Sequence, residues 1–274
     1  MRILLFCSVL LLTFFTSKAQ KNTTNTPAEG KVVTGTILVN EPTPVDFKVI
    51  RQSLVSDWNV RLDSFNQAEK TLVLYTAGAT VMLAWLDYPA APLEIKSAAE
   101  GAWLWNNAAE EAPRHQAQVV VSVIGSPRQP LDVYKLYTKV VAAALDNTRS
   151  SGVYLSSQYL LQSKAFFLQA ARSMDLNSLP LYCWIYFGMF QEKDLSSGYT
   201  FGLTEFGMPD LEINRSKHSM QEVHAVLYDA VSDALQNGVT LQEGSMVETL
   251  EGQKIALKLS KATFWEGQTL KVSY

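Results

Sequence analysis

Three carboxylates lie close together in the stretch FGLTEFGMPDLEINRSKHS, and their spacing could support chemistry. Asp210 and Glu212 are two residues apart on a predicted strand, so their side chains project from the same face, and Glu205 precedes them across a Gly-Met-Pro bend. Three carboxylates near a bend could act as a general acid and base or bind a hard cation. The alternative is a solvated strand face whose carboxylates pair with Arg215 and Lys217.

A histidine offers a fourth reactive group. His115 lies two residues before Ala117, the first residue of the apolar run AQVVVSVIG. A histidine with no second ligand at metal spacing is more typical of a hydrogen-bonded structural residue. Combined with the carboxylates, it gives one catalytic hypothesis. In that hypothesis the protein is a hydrolase or metal-assisted enzyme with His115, Glu205, Asp210 and Glu212 in a cleft between the two halves of the chain. At least two of these side chains must then converge on one cleft.

Two tryptophans two residues apart stand in the stretch AEGAWLWNNAAEEAP, which predicts one helix from Leu93 to about Ala112. On a helical wheel Trp105 falls within an alanine-rich arc, which predicts a core position. Trp103 falls about 160° away, on the polar side. It is covered there by the rest of the protein or forms part of a ligand or partner surface. We predict Trp103, together with Asp210 and Glu212, as residues of such a binding surface.

The sequence contains none of the common catalytic or cofactor motifs. It has no Walker loop or dinucleotide fingerprint, no HExxH, CxxC or HxH, and neither GxSxG nor SxxK. We therefore predict no cofactor and no metal. Cys183 lies in LYCWIYF among apolar neighbours and is predicted to be core rather than a nucleophile. His224 is predicted at the boundary of an apolar helix stripe, and His218 in solvent just before that helix.

The first nineteen residues are typical of a secretory signal peptide. Arg2 precedes the apolar run Ile3–Phe15, and small residues at Ser17 and Ala19 predict cleavage after Ala19. The run of about 13 residues is too short to span a bilayer. We therefore expect an exported, soluble, periplasmic protein, or alternatively a fully secreted one, with no membrane span after cleavage. Residues 20–30 are polar and predict a disordered tether.

Charge and cysteine content limit the partners. The chain has 23 basic and 26 acidic residues, a net charge of −3, and loss of Arg2 and Lys18 with the signal takes this to about −5. No basic stripe is present, so we expect no nucleic-acid partner. Cys183 would remain alone, so no intrachain disulfide stabilises the fold. The 47% of hydrophobic residues is enough for a large core.

The elements that must position these residues fall into two halves of a predicted α+β protein. Residues 31–125 read as strand, helix, hairpin, helix and strand, which is the order of the ferredoxin-like, or split βαβ, fold. Residues 126–274 predict a second α/β half with a mixed or antiparallel sheet that shares or abuts the first core. One helix of this half is well marked, because Ser219 and Glu222 form a capping box and Gly238 follows its last turn.

Several stretches of the chain resemble the bacterial domain-of-unknown-function (DUF) 4261 family over roughly residues 45–274. They are AWLWNNAAEEAPRHQAQVVVSV, LYTKVVAAALDNTRSSGVYL, LPLYCWIYF, GYTFGLTEFGMPDLEI and NGVTLQEGSMVE. The resemblance implies a bacterial source and kinship without an activity. The family's recurrent residues correspond here to Trp103, Trp105, His115, Thr138, Gly202, Phe206, Gly207, Asp210 and Glu212.

Two departures from the family pattern bear on function. The family's His-x-Ala-His segment reads His115, Gln116, Ala117 and Gln118 here, so a paired-histidine metal site is not expected. The closing turn reads EGSMVE in place of a Gly-Asp-Thr-Ile-Gly-like sequence. Our leading hypothesis is a non-enzymatic module that binds an unknown protein or small molecule. The enzyme described above and a purely structural role in an envelope complex are the alternatives.

Overall fold

The computed structural model describes residues 30–76, 78–126, 128–175 and 178–274. The predicted signal peptide and nearly all of the predicted tether lie outside these residues. The fold is α+β, as predicted, and none of the helices within the described ranges is long and apolar enough to cross a membrane. The helices are α1 (Phe47–Ser56), α2 (Pro92–Glu100), α3 (Ala108–Glu111), α4 (Pro130–Asp146), α5 (Lys164–Arg172) and α6 (Met220–Asn237).

The larger sheet has seven strands, and every neighbouring pair in it is antiparallel. Its strands are β1 (Lys31–Val39), β2 (Ser64–Gln67), β3 (Thr71–Thr76), β4 (Ala79–Leu86), β5 (Ala117–Gly125), β6 (Ser150–Leu155) and β7 (Leu160–Ser163). They lie in the order β2-β3-β4-β5-β1-β6-β7. The sheet thus continues past residue 125, because β6 and β7 extend it beyond β1.

The strand order differs from the ferredoxin-like prediction. In the split βαβ arrangement the third strand lies beside the first and separates it from a parallel second strand. Here β5 occupies that central place and pairs with β1 on one side and β4 on the other. The sequence of β5, AQVVVSVIG, is apolar on both faces, and a strand of that kind is stabilised by a neighbour on each side and cover above and below. An edge position would expose it.

Helices cover both faces of this sheet around β1 and β5. On one face α4 packs against β1 and β5, with α1 and α5 on either side of it. On the other face a smaller buried cluster contains Leu38 and Tyr154 from the strands, together with Ile95 and Trp105. This second cluster holds the segment that follows α2, and so it fixes the position of Trp103.

The predicted helix from Leu93 to Ala112 is wrong in its middle. Helix α2 ends at Glu100, residues 101–107 form turns, and α3 begins at Ala108. Glycine has poor helix propensity, and Gly101 stands where the helix ends. The helical wheel therefore does not predict burial beyond Gly101, where Ala108 is buried and Ala109 is exposed. Trp105 is nevertheless core, as predicted, with its indole N–H donated to Glu111 Oε2 at 2.9 Å.

The remaining strands are β8 (Tyr186–Glu192), β9 (Leu195–Phe201), β10 (Leu211–Ser216), β11 (Met246–Glu248), β12 (Lys254–Ala256), β13 (Lys258–Lys261) and β14 (Gln268–Lys271). Five of them form the second sheet, in the order β13-β14-β10-β9-β8. This sheet is mixed, because β10 and β14 are parallel and the other pairs are antiparallel. Strands β11 and β12 pair separately. Strand β8 is one edge of the five-stranded sheet.

Helix α6 covers one face of the second sheet and is bounded as predicted. The Ser219 hydroxyl accepts the Glu222 N–H, and the Glu222 carboxylate accepts the Ser219 N–H, which completes the capping box. Gly238 follows the last turn with φ 69°, a left-handed conformation that glycine adopts without strain. Val223 and Leu227 are fully buried on the inner face of this helix.

The two sheets share one buried core. Trp184, just before β8, is fully buried and donates its indole N–H to Thr138 Oγ1 of α4 at 2.8 Å. The Tyr134 ring of α4 also packs against Phe206, with ring centroids 4.7 Å apart. Side chains from both parts of the chain thus meet in one cluster.

Candidate functional site

Glu212 is fully buried and its carboxylate is saturated by partners from its own sheet. It pairs with the Lys271 ammonium of β14, and Oε2 accepts hydrogen bonds from Thr269 Oγ1 at 2.8 Å and the Thr263 N–H at 3.2 Å. Oε1 accepts from Asn214 Nδ2 at 2.7 Å. Burial alone would raise the pKa of Glu212, but these donors outweigh it and the pKa is lowered. The carboxylate is therefore a structural anion that joins β10 to β14.

Asp210 is also buried and closes the turn that precedes β10. Its Oδ1 accepts hydrogen bonds from the Thr200 hydroxyl and the Leu203 N–H, both at 2.9 Å. Thr200 in turn accepts the Leu211 N–H at 2.9 Å. Burial raises the pKa of Asp210 to about 6, although hydrogen bonds from Leu203, Thr200 and Gly202 act against that rise. The Asp210 carboxylate therefore stabilises the turn before β10 through hydrogen bonds to the backbone and to a threonine.

Glu205 links the two parts of the core. Its Oε2 lies 2.6 Å from the Lys31 ammonium of β1 and accepts the Tyr134 hydroxyl of α4 at 3.2 Å. Burial, followed by the nearby Glu205 charge, raises the pKa of Tyr134, so this phenol stays protonated. The carboxylate holds β1 and α4 to the short 3-10 helix that contains it.

Both ring nitrogens of His115 form hydrogen bonds with backbone groups. Nε2 accepts the Ala90 N–H at 2.9 Å, and Nδ1 donates to the Ala112 carbonyl at 2.6 Å. The side chain is 5% exposed, and burial lowers its pKa. A neutral imidazole with both nitrogens occupied fastens the start of β5 to the loop before α2.

The four candidate residues of the enzyme hypothesis therefore have separate structural partners. Among the described residues no hydrogen bond or ion pair joins any two of them. The expectation of a solvated carboxylate face is also wrong, since Asp210 and Glu212 are 3% and 0% exposed. Arg215, which that expectation offered as a partner, pairs with Glu192 at 2.8 Å.

Trp103 lines a pocket of about 580 Å³ whose other walls come from the second part of the chain. Half of the side chain is exposed, because the chain has left the helix and turns outward. Its ring meets Tyr182 and His224 edge-on, with centroids 5.8 and 6.1 Å away. We call this cavity the Trp103 pocket, and its main lining side chains are Trp103, Tyr182, Phe187, Met189, Met220 and His224.

A stacked pair forms one wall of the Trp103 pocket. The rings of Tyr182 and His224 are 5.9 Å apart and 12° from parallel, and the Tyr182 hydroxyl is 3.2 Å from His224 Nε2. Burial lowers the pKa of His224 and raises that of Tyr182, so both side chains are uncharged at neutral pH. The wall is aromatic with one polar edge, which suits a ligand that presents apolar groups and a few hydrogen bonds.

A second pocket, of about 280 Å³, lies on the other face of β8. We call it the Tyr199 pocket, and its aromatic lining consists of Tyr159, Tyr186, Tyr199, Phe201, Phe264 and Trp265. The Tyr199 ring covers Gly188 so closely that a Cβ there would lie 2.3 Å from it. Gly101 and Tyr186 line both pockets, which therefore meet at the start of β8.

The two pockets are almost free of charge. Glu100 is the one carboxylate among the lining residues of the Trp103 pocket, and the lining of the Tyr199 pocket contains no charged side chain. Lys and Arg are absent from both linings. Such a surface favours neutral or cationic ligands over anions.

One group within the described ranges has the composition of a metal site. His218, Glu222 and Glu251 each offer a ligand atom, and these atoms lie within 4.8 Å of one another. The group also has a structural explanation, because Tyr274 stacks on His218 at 3.9 Å and its hydroxyl donates to Glu251 at 3.1 Å. Through these contacts Tyr274, which follows β14, is held beside the start of α6. The sequence prediction for His218 missed this cluster.

The pocket residues other than Trp103 were also missed. In the sequence Tyr182 and Phe187 stand out only as neighbours of Cys183 in LYCWIYF, and His224 is predicted only at the boundary of an apolar helix stripe. One local signal was available, since His224 and Tyr228 are four residues apart on one helix face. The contact between His224 and Trp103, which are more than 100 residues apart, cannot be predicted from the local sequence.

Residues 199–273 match the family model described as a domain of unknown function (DUF4261). The match confirms the resemblance for that segment, which contains Asp210, Glu212, α6 and the aromatic pair Phe264 and Trp265. No curated protein and no solved structure matches the chain.

Proposed function

We propose that this protein is an exported, soluble, non-enzymatic binding module whose ligand or partner occupies the aromatic pockets on either side of β8. The observation that carries the proposal is the half-exposed Trp103, whose ring meets the Tyr182–His224 pair edge-on and lines the same open pocket. A tryptophan that served only the fold would be covered as Trp105 is. Exposed apolar patches of this kind are typical of binding surfaces.

The size and composition of the pockets support binding. The Trp103 pocket, at about 580 Å³, falls in the range of small-molecule and peptide side-chain sites. Rigid aromatic side chains supply large contact area at low conformational-entropy cost. Tyr and Trp also keep a polar atom free for orientation. The two pockets meet at the start of β8 and together offer one binding surface.

The enzyme alternative has less support. Catalysis by a histidine and carboxylates needs at least two such groups in reach of one reacting atom. His115, Glu205, Asp210 and Glu212 each contact structural partners instead, and no pair of them lines either aromatic pocket. We therefore do not propose a catalytic role for these four residues.

Export is a separate part of the proposal, and periplasmic localisation is its first form. It rests on the apolar run after Arg2 and on the small residues before Gln20. Expression of the full chain followed by cell fractionation and N-terminal sequencing tests it. We expect the mature protein to begin at Gln20 and to be recovered from the periplasm. Recovery from the medium indicates full secretion, and an intact Met1 in the cytoplasm contradicts export.

The binding proposal is tested by fluorine NMR of protein labelled with 5-fluorotryptophan. The probes are seven-residue apolar peptides, neutral oligosaccharides and aliphatic amines. We expect one class to shift the Trp103 resonance saturably, while the resonances of the buried Trp105 and Trp184 stay in place. The Trp103→Ala variant assigns the signal. Failure of every class to move Trp103, or equal movement of all tryptophans, would falsify the proposal.

A further inference from the structure

We infer that the free edge of β8 binds an extended apolar peptide segment of a partner protein as an added strand, with alternate side chains in the Trp103 and Tyr199 pockets. The inference rests on the proposed function and names the class of ligand. Strand β8 is the last strand of its sheet and pairs only with β9. Within the described ranges, its other edge makes no backbone hydrogen bond to another segment.

The two pockets have the geometry that strand addition requires. Successive residues of a strand point to opposite faces of the sheet. On β8, Tyr186 and Phe190 therefore lie on the face of the Tyr199 pocket, while Phe187 and Met189 lie on the face of the Trp103 pocket. A strand added beside β8 would place its own alternate side chains into the same two pockets. In this mode, backbone hydrogen bonds give affinity and the pockets give specificity.

The edge lacks the features that keep exposed strands from pairing. Edge strands are usually protected by lysine, proline, a bulge or a covering element. The first five residues of β8, YFGMF, contain no charge and no proline, and their pairing with β9 runs without a register shift. Phe190 is 37% exposed. Phe187 is 1% exposed and Gly188 is buried, so the part of this edge that an added strand meets first is Met189 and Phe190.

The pocket linings define the chemistry of the segment. Both pockets are aromatic, so consecutive residues of the segment should be apolar on both faces over about five positions, the length of YFGMF. The one lining carboxylate is Glu100 in the Trp103 pocket, so a lysine or arginine at one end is favoured and an acidic residue is not. A polar stretch such as residues 20–29, QKNTTNTPAE, lacks these side chains.

A second copy of this chain fits the edge less well. In an antiparallel pairing of two β8 strands, the polar end of one strand, Gln191 and Glu192, would lie beside the aromatic start of the other, Tyr186 and Phe187. Glu192 would then approach the carboxylate of Glu100. The partner protein is therefore the occupant we propose, and self-association is an outcome of the test.

The experiment uses the mature protein and the peptide acetyl-Lys-Val-Phe-Val-Tyr-Val-Thr-amide. Two further versions carry N-methyl groups on the even-numbered or on the odd-numbered backbone amides. Amides of alternate residues face the same strand edge, so strand addition tolerates one methylation pattern and not the other. By calorimetry we expect micromolar binding of the unmethylated peptide, at least tenfold weakening by one pattern, and less than threefold by the other.

Protein variants locate the site. Trp103→Ala should weaken the peptide at least tenfold, while Tyr88→Ala, at an exposed tyrosine that lines neither pocket, should leave it unchanged. Equal affinity of the two methylated peptides overturns strand addition, as does no binding of the unmethylated peptide. A dimer in sedimentation that Phe190→Lys dissociates also overturns it. The fluorine experiment judges the proposed function separately, because an oligosaccharide or amine that moves Trp103 upholds binding while the peptide fails.

Discussion

The aromatic pockets beside β8 and the carboxylates around β10 lie on the same sheet, two strands apart, and differ in how their polar groups are satisfied. Glu212 has four donors and no exposure, whereas Trp103 is half exposed beside an open pocket. The carboxylates, which are residues typical of catalytic sites, thus have their hydrogen-bonding groups occupied by structural partners. The candidate site in this protein is therefore identified by exposed aromatic surface and not by chemically reactive residue types.

Substitution by alanine should reduce stability far more at Trp105 than at Trp103, although the two tryptophans are only two residues apart. Trp105→Ala should lower the free energy of unfolding by about 3–5 kcal/mol, because it opens a cavity in a packed cluster and leaves Glu111 without its donor. Trp103→Ala should cost less than about 1 kcal/mol, since half of that side chain is already in water. Urea unfolding of both variants measures this. Equal losses would mean that Trp103 is architectural and that the pocket is not a free surface.

Removing one partner of the buried ion pair should have the next largest effect. Lys271→Met leaves the Glu212 carboxylate buried without its cation, and we expect a loss of about 3 kcal/mol in the free energy of unfolding. The remaining donors and the partial exposure of Lys271 place the value at the lower end of the range for buried pairs. Lys258→Met, opposite Lys271 on β13, is the matched control. We expect that control to change stability by less than about 0.5 kcal/mol, and similar losses in both variants would contradict a special role for the pair.

The pH dependence of Asp210 tests whether its carboxyl is structural. Its pKa in the folded protein is about 6, above the value of about 3.9 in an unfolded chain. Its contribution to stability is therefore complete below about pH 4 and is lost as the pH rises through about 6. Asp210→Asn keeps an oxygen acceptor for Thr200 and Leu203 but does not titrate.

We expect the stability of the wild type relative to Asp210→Asn to fall by on the order of 2 kcal/mol between pH 4 and pH 7. Urea unfolding of both proteins at the two pH values measures the difference. A relative stability that does not change between them would show that the Asp210 carboxyl is ionised in the folded protein throughout this range.

The smallest expected effect lies in the Trp103 pocket. Tyr182→Phe removes the hydroxyl that lies 3.2 Å from His224 Nε2, and we expect a loss of about 0.5–1 kcal/mol in stability. The stacked rings remain in contact, so the pocket keeps its shape. Thermal and urea unfolding measure the loss. If Tyr182→Phe lowered the free energy of unfolding as much as Lys271→Met does, the Tyr182–His224 pair would be structural in the same way as the buried carboxylates. The contrast between the two regions would then be wrong.

Local pattern was sufficient for most of the elements. The capping box at Ser219 and the stop at Gly238 are each signals carried by a few neighbouring residues, and the structure has both. Pattern failed at Gly101, where a helical period continued through residues that form turns. Burial of Trp105 against the sheet decided that segment, and a helical wheel contains no information about the sheet.

The α+β class, the two ends of α6 and the core positions of Trp105 and Cys183 could be predicted from the sequence alone, because side-chain periodicity and capping act over one or two turns. The strand order, the long-range partners of Glu212 and the contacts of Trp103 with Tyr182 and His224 depend on the tertiary structure. The Glu212 contacts with Thr263, Thr269 and Lys271 and the two Trp103 contacts join residues that are 51 to 121 positions apart. Their energies depend on which surfaces the finished fold brings into contact. The structural role of Glu212 and the exposure of Trp103 in a pocket both depend on neighbours that are distant in the chain, so the local sequence cannot predict them.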